Sequence, residues 1–278
     1  MLRKGTFILM KTKIQDMTSG SPGRLIILFA IPLMLGNICQ QLYTMVDTMI
    51  VGQVAGVEAL AALGAVDFLM WVVTGISTGL TQGFSIQLSQ YYGAKDFENL
   101  RKSLAHSYRL TAFIAAGVLI LSQSFASLVL TGLHTPSNII GMSLLYLRII
   151  FCGIPATAAY NMFASALRAM GNSKTPLTAM IIASVLNVSL DILFVAGFGW
   201  GVAGAAIATV IAQSFSAVYC FLILRRIDIV HLTRADFMPA SGMNARLMKL
   251  GIPVVFQNII IGVGGLVVQY LSLIHISE

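Results

Sequence analysis

Two polar residues in one apolar stretch of the chain have the types and spacing of a small-cation site. Asn187 and Asp191 lie four residues apart, so they share one face of a helix. Thr209, followed one turn later by Gln213, lies in the next apolar stretch at a depth that matches Asp191. A carboxylate, an amide oxygen and a hydroxyl suit a small hard cation, and a buried carboxyl group can equally hold a proton. The alternative is a structural cluster of hydrogen bonds between helices.

Three further ionisable residues lie inside apolar stretches or at their ends. Asp47 is near the end of the first stretch, where an acid in contact with water is the alternative to a functional one. Asp67, in the second stretch, could add to the cation site or pair with Arg148 in the fourth, which would make both structural. A charge in hydrocarbon is costly, so each needs a partner or a water-filled cavity. We therefore treat Asp67, Gln213 and Arg148 as possible accessory residues.

The composition is that of a polytopic membrane protein rather than a soluble one. Of the 278 residues, 57% are hydrophobic and 10% are charged, and the mean hydropathy is +0.87. Soluble domains carry about 25% charged residues. The net charge of +7 is dispersed between apolar stretches, which argues against a nucleic-acid partner. The sequence has no Ser/His/Asp set, phosphate-binding glycine loop or metal cluster, so an enzyme embedded in the membrane is disfavoured.

Seven stretches are long enough to cross a bilayer, which takes about 20 apolar residues. They are predicted at 25–48, 57–88, 102–131, 138–167, 176–198, 202–224 and 247–270. Lys and Arg occur in the N-terminal segment and in the second, fourth and sixth connections, and are absent from the first, third and fifth. Basic connections favour the cytoplasm, so the N-terminus is predicted to be cytoplasmic. The fold class is all-α and multi-pass.

The seventh stretch repeats features of the first. Pro253 precedes Asn258 by five residues, as Pro32 precedes Asn37, and an isoleucine comes directly before each proline. An early proline marks a kink or weak point in a helix. A repeat that contains six spans would give two parallel lobes, and the alternative is two unrelated Ile-Pro pairs. The predicted division begins with a cytoplasmic segment at 1–24 and a six-span lobe at 25–226. An inter-lobe loop at 227–246, the first span of a second lobe at 247–270 and a tail at 271–278 follow.

Over residues 10–270 the sequence resembles the multidrug and toxic compound extrusion (MATE) family, within a superfamily that includes flippases of lipid-linked precursors. The most specific segments are FAIPLMLGNICQQLYTMVDTMIVG at 29–52, GLTQGFSIQLSQYYGAKD at 79–96, ALRAMGNSKTPLTAMIIASVLNVSLDILFV at 166–195 and GVAGAAIATVIAQ at 201–213. The resemblance implies twelve helices in two six-helix bundles with a central cavity and alternating access. It also implies a monomer in a bacterial-type cytoplasmic membrane that exports organic, often cationic or amphipathic compounds in exchange for Na⁺ or H⁺.

The resemblance also implies roles for particular residues. The family's cation site falls on Asp47, Asn187, Asp191 and Thr209, and the proline linked to bending of the first helix falls on Pro32. No cofactor is implied beyond the coupling ion, and no metal beyond a Na⁺ at that site. Asp67 departs from the family pattern, because an uncharged residue is expected there.

Both ends of the chain look foreign to the family. Residues 1–9 precede a more typical start at Met10, and the final LSLIHISE at 271–278 resembles a translated sequencing adapter. We therefore expect a fragment that holds one lobe and the start of a second. Two alternatives to an exporter stay open. One is a flippase for a lipid-linked saccharide, whose relatives line the cavity with several cationic residues where this chain offers Arg148. The other is a half-protein that does not transport.

Overall fold

The computed structural model describes residues 21–133 and 135–276, and every regular element in that part of the chain is a helix. The elements in chain order are α1 (Pro22–Val54), α2 (Val57–Gly93), α3 (Phe97–Gly132), α4 (Ile140–Cys152), α5 (Ile154–Ala169), α6 (Lys174–Asp191), a π-helix (Ile192–Gly197), α7 (Gly201–Leu224), two short 3₁₀ turns (Asp228–Val230 and Arg234–Phe237) and α8 (Met243–Ile276). The predicted cytoplasmic segment up to residue 20, and residues 277 and 278 of the predicted tail, lie outside the described residues.

Six of the described helices are long and apolar enough to cross a membrane, and the pair α4 and α5, which meet at a bend of 46°, makes a seventh span when it is counted as one. The described helices thus confirm the predicted all-α multi-pass class. Several helices, α1, α3 and α8 among them, run past the predicted boundaries at both ends. α3, for example, starts before residue 102 because Asp96 caps it, accepting a hydrogen bond from the Asn99 backbone N–H at 3.1 Å.

The bend between α4 and α5 has a local cause in Gly153 and Pro155. Proline fits the first turn of a helix but cannot continue a preceding one, because it lacks the N–H donor. A side chain at Gly153 would meet Val210 of α7 at 2.6 Å, so glycine lets the two helices approach at the bend. The sequence analysis predicted one continuous span at 138–167, and the proline was the signal of the break.

The end of α6 departs from the predicted regular helix. Asp191 is its last α-helical residue, and the chain then widens into the π-helix. Such single-turn π segments are rare and occur frequently at functional sites. Phe194, Phe198 and Trp200 stack against one another there, with ring centroids 5.1 to 6.0 Å apart, and so fix the turn into α7.

The basic connections lie at one end of the bundle. Arg101 near the start of α3 approaches Asp236 at 3.8 Å, and Arg109 donates to the Phe237 carbonyl at 2.9 Å. Both acceptors belong to the connection between α7 and α8. At the opposite end, the Asn138 amide in the α3–α4 connection donates at 3.2 Å to Glu58 in the first turn of α2, and neither that connection nor the one before α2 carries Lys or Arg. The basic and the neutral connections named here therefore lie at different ends of the bundle.

Asp236 stabilises the turn that holds the inter-lobe connection. Burial alone raises the pKa of the Asp236 carboxyl. The hydrogen bonds from the Thr233 backbone N–H and hydroxyl and the charge of Arg101 lower this pKa by more, so it lies below the ordinary aspartate value. Because the pKa of Asp236 is lower in the folded state than in the unfolded state, the stabilisation is fully present when the pH is above the ordinary aspartate pKa. It is lost as the pH falls through the lowered pKa of the folded state. The ion pair with Arg101 therefore persists at neutral pH.

Glycines bring α8 directly onto α2. Gly75, Gly79 and Gly83 recur every fourth residue and form one face of α2. A side chain at Gly79 would meet the Val255 backbone at 2.7 Å, and one at Gly83 would meet the backbone of Gly251. Without a hydrophobic driving force between helices in lipid, small residues allow the close van der Waals contact that holds them together. The first helix of the predicted second lobe therefore packs on the first lobe through backbone contact.

Candidate functional site

Three helices bring the predicted site residues to one place. Asp47 comes from α1, Asn187 and Asp191 come from α6, and Thr209 comes from α7. Asn187 and Asp191 are 0% exposed and Asp47 is 6% exposed. The Asn187 Nδ2 donates to Thr209 Oγ1 at 3.4 Å, which joins α6 to α7. The carboxyl groups of Asp47 and Asp191 are close enough to interact electrostatically.

The cluster is rich in buried oxygens that have no hydrogen-bond partner among the described residues. They are Asp47 Oδ1, Asn187 Oδ1, both Asp191 carboxylate oxygens and Gln213 Oε1. An unsatisfied buried acceptor costs about 1 to 3 kcal/mol, so a set of five is not tolerated without a reason. All five are acceptors, so a metal cation can be bound by several of them at once, and a proton on one carboxyl group can be donated to a neighbouring oxygen. The residues present therefore fit a Na⁺ or H⁺ site.

A cavity beside the cluster is small enough to limit what it can hold. Its volume is about 10 Å³, the lower limit for a single water molecule. The lining residues are Tyr43, Met180, Ala183, Asn187, Thr209, Ala212 and Gln213. A space of this size accommodates an ion or a water and excludes an organic molecule.

Two tyrosines belong to this region. Tyr43 lies one turn before Asp47 on α1, and that spacing is visible in the sequence. Tyr146, on α4, was missed by the sequence analysis. It is buried, and it lies within electrostatic range of Asp47, Asp191 and Asp67. Nothing around it in the apolar run of α4 distinguishes it from a lipid-facing tyrosine.

The three possible accessory residues separate in the structure. Gln213 lines the same cavity as Asn187 and Thr209 and belongs to the cluster. Asp67 and Arg148 are both exposed, and the ion pairs of the described residues do not include one between them. In the part of the chain that the structure describes, Asp67 and Arg148 therefore do not form an ion pair.

Pro32 is buried within α1, in the half of the helix away from Asp47. Its missing N–H leaves one hydrogen bond of the helix unmade, which weakens α1 at this turn. The apolar side chains of α1 are largely exposed around it, with Met34 at 62% exposure as an example.

The described residues contain no group of three or more His, Cys, Asp and Glu side chains that could hold a metal ion. The candidate site has two carboxyl groups, and its other oxygens come from amides and a hydroxyl. Hard oxygen ligands of this kind suit an alkali or alkaline-earth cation rather than a transition metal.

Comparison with known proteins relates the chain to a family of membrane proteins. The sequence model of the MatE family matches residues 32–193. A probable multidrug resistance protein of Bacillus subtilis, YpnP, is 31% identical over 249 residues, which cover 90% of this chain and 56% of that protein. A second one, YoeA of the same species, is 29% identical over 262 residues, covering 91% and 57%. The solved structure of a MOP superfamily transporter from Pyrococcus furiosus superposes with a TM-score of 0.83 at 26% identity, covering 89% of this chain and 55% of that one. The chain spans a little over half the length of the proteins that it matches.

Proposed function

The chain belongs to the MATE family, whose sequence model matches more than half of its residues. From this premise we propose that the full-length protein is a cation-coupled exporter of small organic compounds. The observation that supports coupling is the set of unpartnered buried oxygens on Asp47, Asn187, Asp191 and Gln213. The support for export is the similarity to the multidrug resistance proteins of Bacillus subtilis.

In the proposed mechanism the coupling ion moves α1. A Na⁺ or H⁺ that enters from the outer side neutralises Asp47 and Asp191, and the electrostatic repulsion between these carboxylates is lost. Asp47 can then stay close to α6, and α1 changes direction at Pro32, where its hydrogen-bond ladder is interrupted. Repacking of α1 narrows the cavity between the lobes and releases the substrate outward. The ion therefore favours one of two global states, as coupled exchange requires.

The orientation and location follow the charge of the connections. The end that carries Arg101, Arg109 and Arg234 is cytoplasmic in this proposal, because Lys and Arg in short loops resist translocation. The N-terminus of α1 lies at the same end, and the membrane is the cytoplasmic membrane of a bacterial-type cell. The site at Asp191 then lies in the outer half of the bilayer, where external cations reach it first.

The test is transport by the full-length protein in a host that lacks its own efflux pumps. Cells are loaded with a fluorescent organic cation, and efflux is followed while a Na⁺ gradient or a pH gradient is imposed separately. We expect uphill efflux that follows one of the two gradients and stops when that gradient is collapsed by an ionophore. Efflux that ignores both gradients would refute cation coupling.

We assign the recognition of a cationic substrate to Asp67 and Trp71 on α2. They lie four residues apart on one helix face, and both are exposed, Trp71 by 53%. α8 packs on a neighbouring face of α2, over Phe68 and Val72, so Asp67 and Trp71 border the space between the two lobes. A carboxylate beside an exposed indole attracts an organic cation through its charge and through the ring face. Asp67 then departs from the family pattern because of the substrate rather than the coupling ion.

Asp67→Asn is expected to lower efflux of the organic cation and to leave an uncharged substrate unaffected. The loss should be on the order of fivefold, since one partly exposed charge contact contributes up to about 1 kcal/mol. The measurement is the initial efflux rate of a cationic and a neutral fluorescent substrate from the same cells. Glu58→Gln removes an acid at the outer end of the same helix and serves as the control. An equal loss for both substrates would contradict the assignment.

The flippase alternative finds less support. The cationic residue that it would use is Arg148, whose backbone carbonyl accepts from the Gln123 amide at 2.8 Å and whose side chain is exposed on α4. A pyrophosphate headgroup calls for several converging cations.

A further inference from the structure

A second cavity, separate from the cation site, opens between α3, α5 and α7. Its volume is about 350 Å³, within the range of small-molecule sites. Alanines on α3 and α5 create the space, because a larger side chain at their positions would fill it. The lining residues are Tyr108, Thr111, Ala112, Ala115, Ala116, Leu119, Pro155, Ala158, Ala159, Met162, Phe163 and Phe221. The coupling mechanism does not use this cavity.

The mouth of the cavity faces lipid. Ala112 and Ala116 line it and are exposed on α3. The exposed residues that flank them are large and apolar, with Phe113 at 81% and Ile120 at 65% exposure. Side chains of this kind in a membrane helix lie against acyl chains rather than water.

The length of the cavity matches one leaflet. Its lining on α3 runs from Tyr108 to Leu119, a distance of about 16 Å along the helix axis. Half of the hydrocarbon thickness is about 15 Å. An acyl chain that starts near the basic end of the bundle would therefore run along the cavity toward the bilayer centre.

A cation lies where the headgroup of such a lipid would be. Phe221 lines the cavity, and the Arg225 guanidinium lies 5.5 Å from the centroid of its ring. Arg225 follows the last residue of α7 and is exposed, and the ion pairs of the described residues do not include it. Phe221 in turn contacts Phe163, and Phe163 contacts Tyr108, with centroids 5.1 and 5.4 Å apart. The aromatic row holds the wall of the cavity open beneath the charge.

We propose that this cavity binds one anionic phospholipid, with the phosphate on Arg225 and one acyl chain along Ala112, Ala116 and Pro155. A planar guanidinium binds phosphate oxygens through two parallel N–H donors. Basic pockets between membrane helices at the cytoplasmic side bind anionic headgroups for the same reason. The charge of Arg225 selects an anionic lipid over a zwitterionic one, and the apolar cavity selects a lipid over a free phosphate.

The experiment is native mass spectrometry of the delipidated full-length protein titrated with phosphatidylglycerol or with phosphatidylcholine. The wild type is expected to retain one phosphatidylglycerol under conditions that strip phosphatidylcholine. Arg225→Gln should weaken retention about fivefold, the factor that one basic residue near the membrane surface contributes. Ala116→Leu, which fills the cavity from its exposed side, should weaken the retention of that lipid at least as much.

Two matched control variants distinguish loss of the lipid site from general effects of removing a charge or adding an apolar side chain. Arg226→Gln removes the neighbouring exposed charge, and Ser124→Leu places the same leucine side chain at an exposed position of α3 beyond the cavity. Both should retain phosphatidylglycerol as the wild type does, and the unfolding midpoint of all four variants is measured to confirm folding. The proposal is overturned if both lipids are retained equally, if Arg225→Gln or Ala116→Leu has no effect, if inorganic phosphate competes fully with the lipid, or if a control variant loses the lipid equally.

Discussion

Asp191→Asn is expected to lower uphill efflux by the full-length protein strongly while leaving its fold intact. Asparagine has the shape of aspartate but cannot carry the negative charge or take up a proton. The variant therefore cannot distinguish the ion-loaded from the ion-free state, and the imposed gradient no longer biases the two conformations. Couplings between two bound ligands are about 5- to 150-fold, and we expect the gradient-driven component of the efflux rate to fall by a factor in that range.

The measurement combines transport with the stability of the purified protein. A ligand that binds only the folded state raises the free energy of unfolding by RT ln(1 + L/Kd), where L is the ligand concentration, so the unfolding midpoint rises with that concentration. The wild type should therefore gain stability with Na⁺, or with H⁺ if that is the coupling ion, and the variant should gain little. The control is Asp228→Asn, which makes the same chemical change at a fully exposed residue whose carboxylate lies 3.9 Å from His231. This variant should transport and unfold as the wild type does. Uphill efflux at the wild-type rate in Asp191→Asn would rule out the coupling role.

The sequence was sufficient to predict that Asn187, Asp191 and Thr209 would meet. The four-residue spacing fixes the first two on one face, and the short connection between α6 and α7 makes these helices antiparallel neighbours. Depth in the bilayer can then be counted from the connection. The observed hydrogen bond between Asn187 and Thr209 agrees with that geometry. The role of these residues in coupling stays a prediction.

Other features depend on contacts between distant parts of the chain and were out of reach. Tyr146 joins the acids only because α4 packs beside α7, and no periodicity in α4 reports that contact. The π-helix after Asp191 needs the stacking of Phe194 with Trp200, which fixes a turn that an apolar run could equally continue as an α-helix.

Gly83→Ala is expected to separate α8 from α2 and to destabilise the contact between the two lobes. The added Cβ would lie 2.6 Å from the Leu250 carbonyl oxygen and would also clash with the Gly251 backbone. Carbon atoms in contact are about 3.5 to 4.0 Å apart, so the helices have to separate by about an ångström. Backbone atoms cannot move aside as a flexible side chain can. Overpacking of this kind costs about 1 to 3 kcal/mol.

The measurement is the unfolding midpoint of the full-length protein in detergent, with efflux followed in parallel. Gly64→Ala is the matched control, because it lies on the same helix and a Cβ there meets nothing within 4 Å. Alanine is the better helix former by up to about 1 kcal/mol, so the control should keep or raise the midpoint while Gly83→Ala lowers it. Efflux should fall with Gly83→Ala, because the proposed alternation between two states requires α8 to keep its packing on α2. If the two variants unfold at the same temperature, the close approach of α2 and α8 does not hold the lobes together.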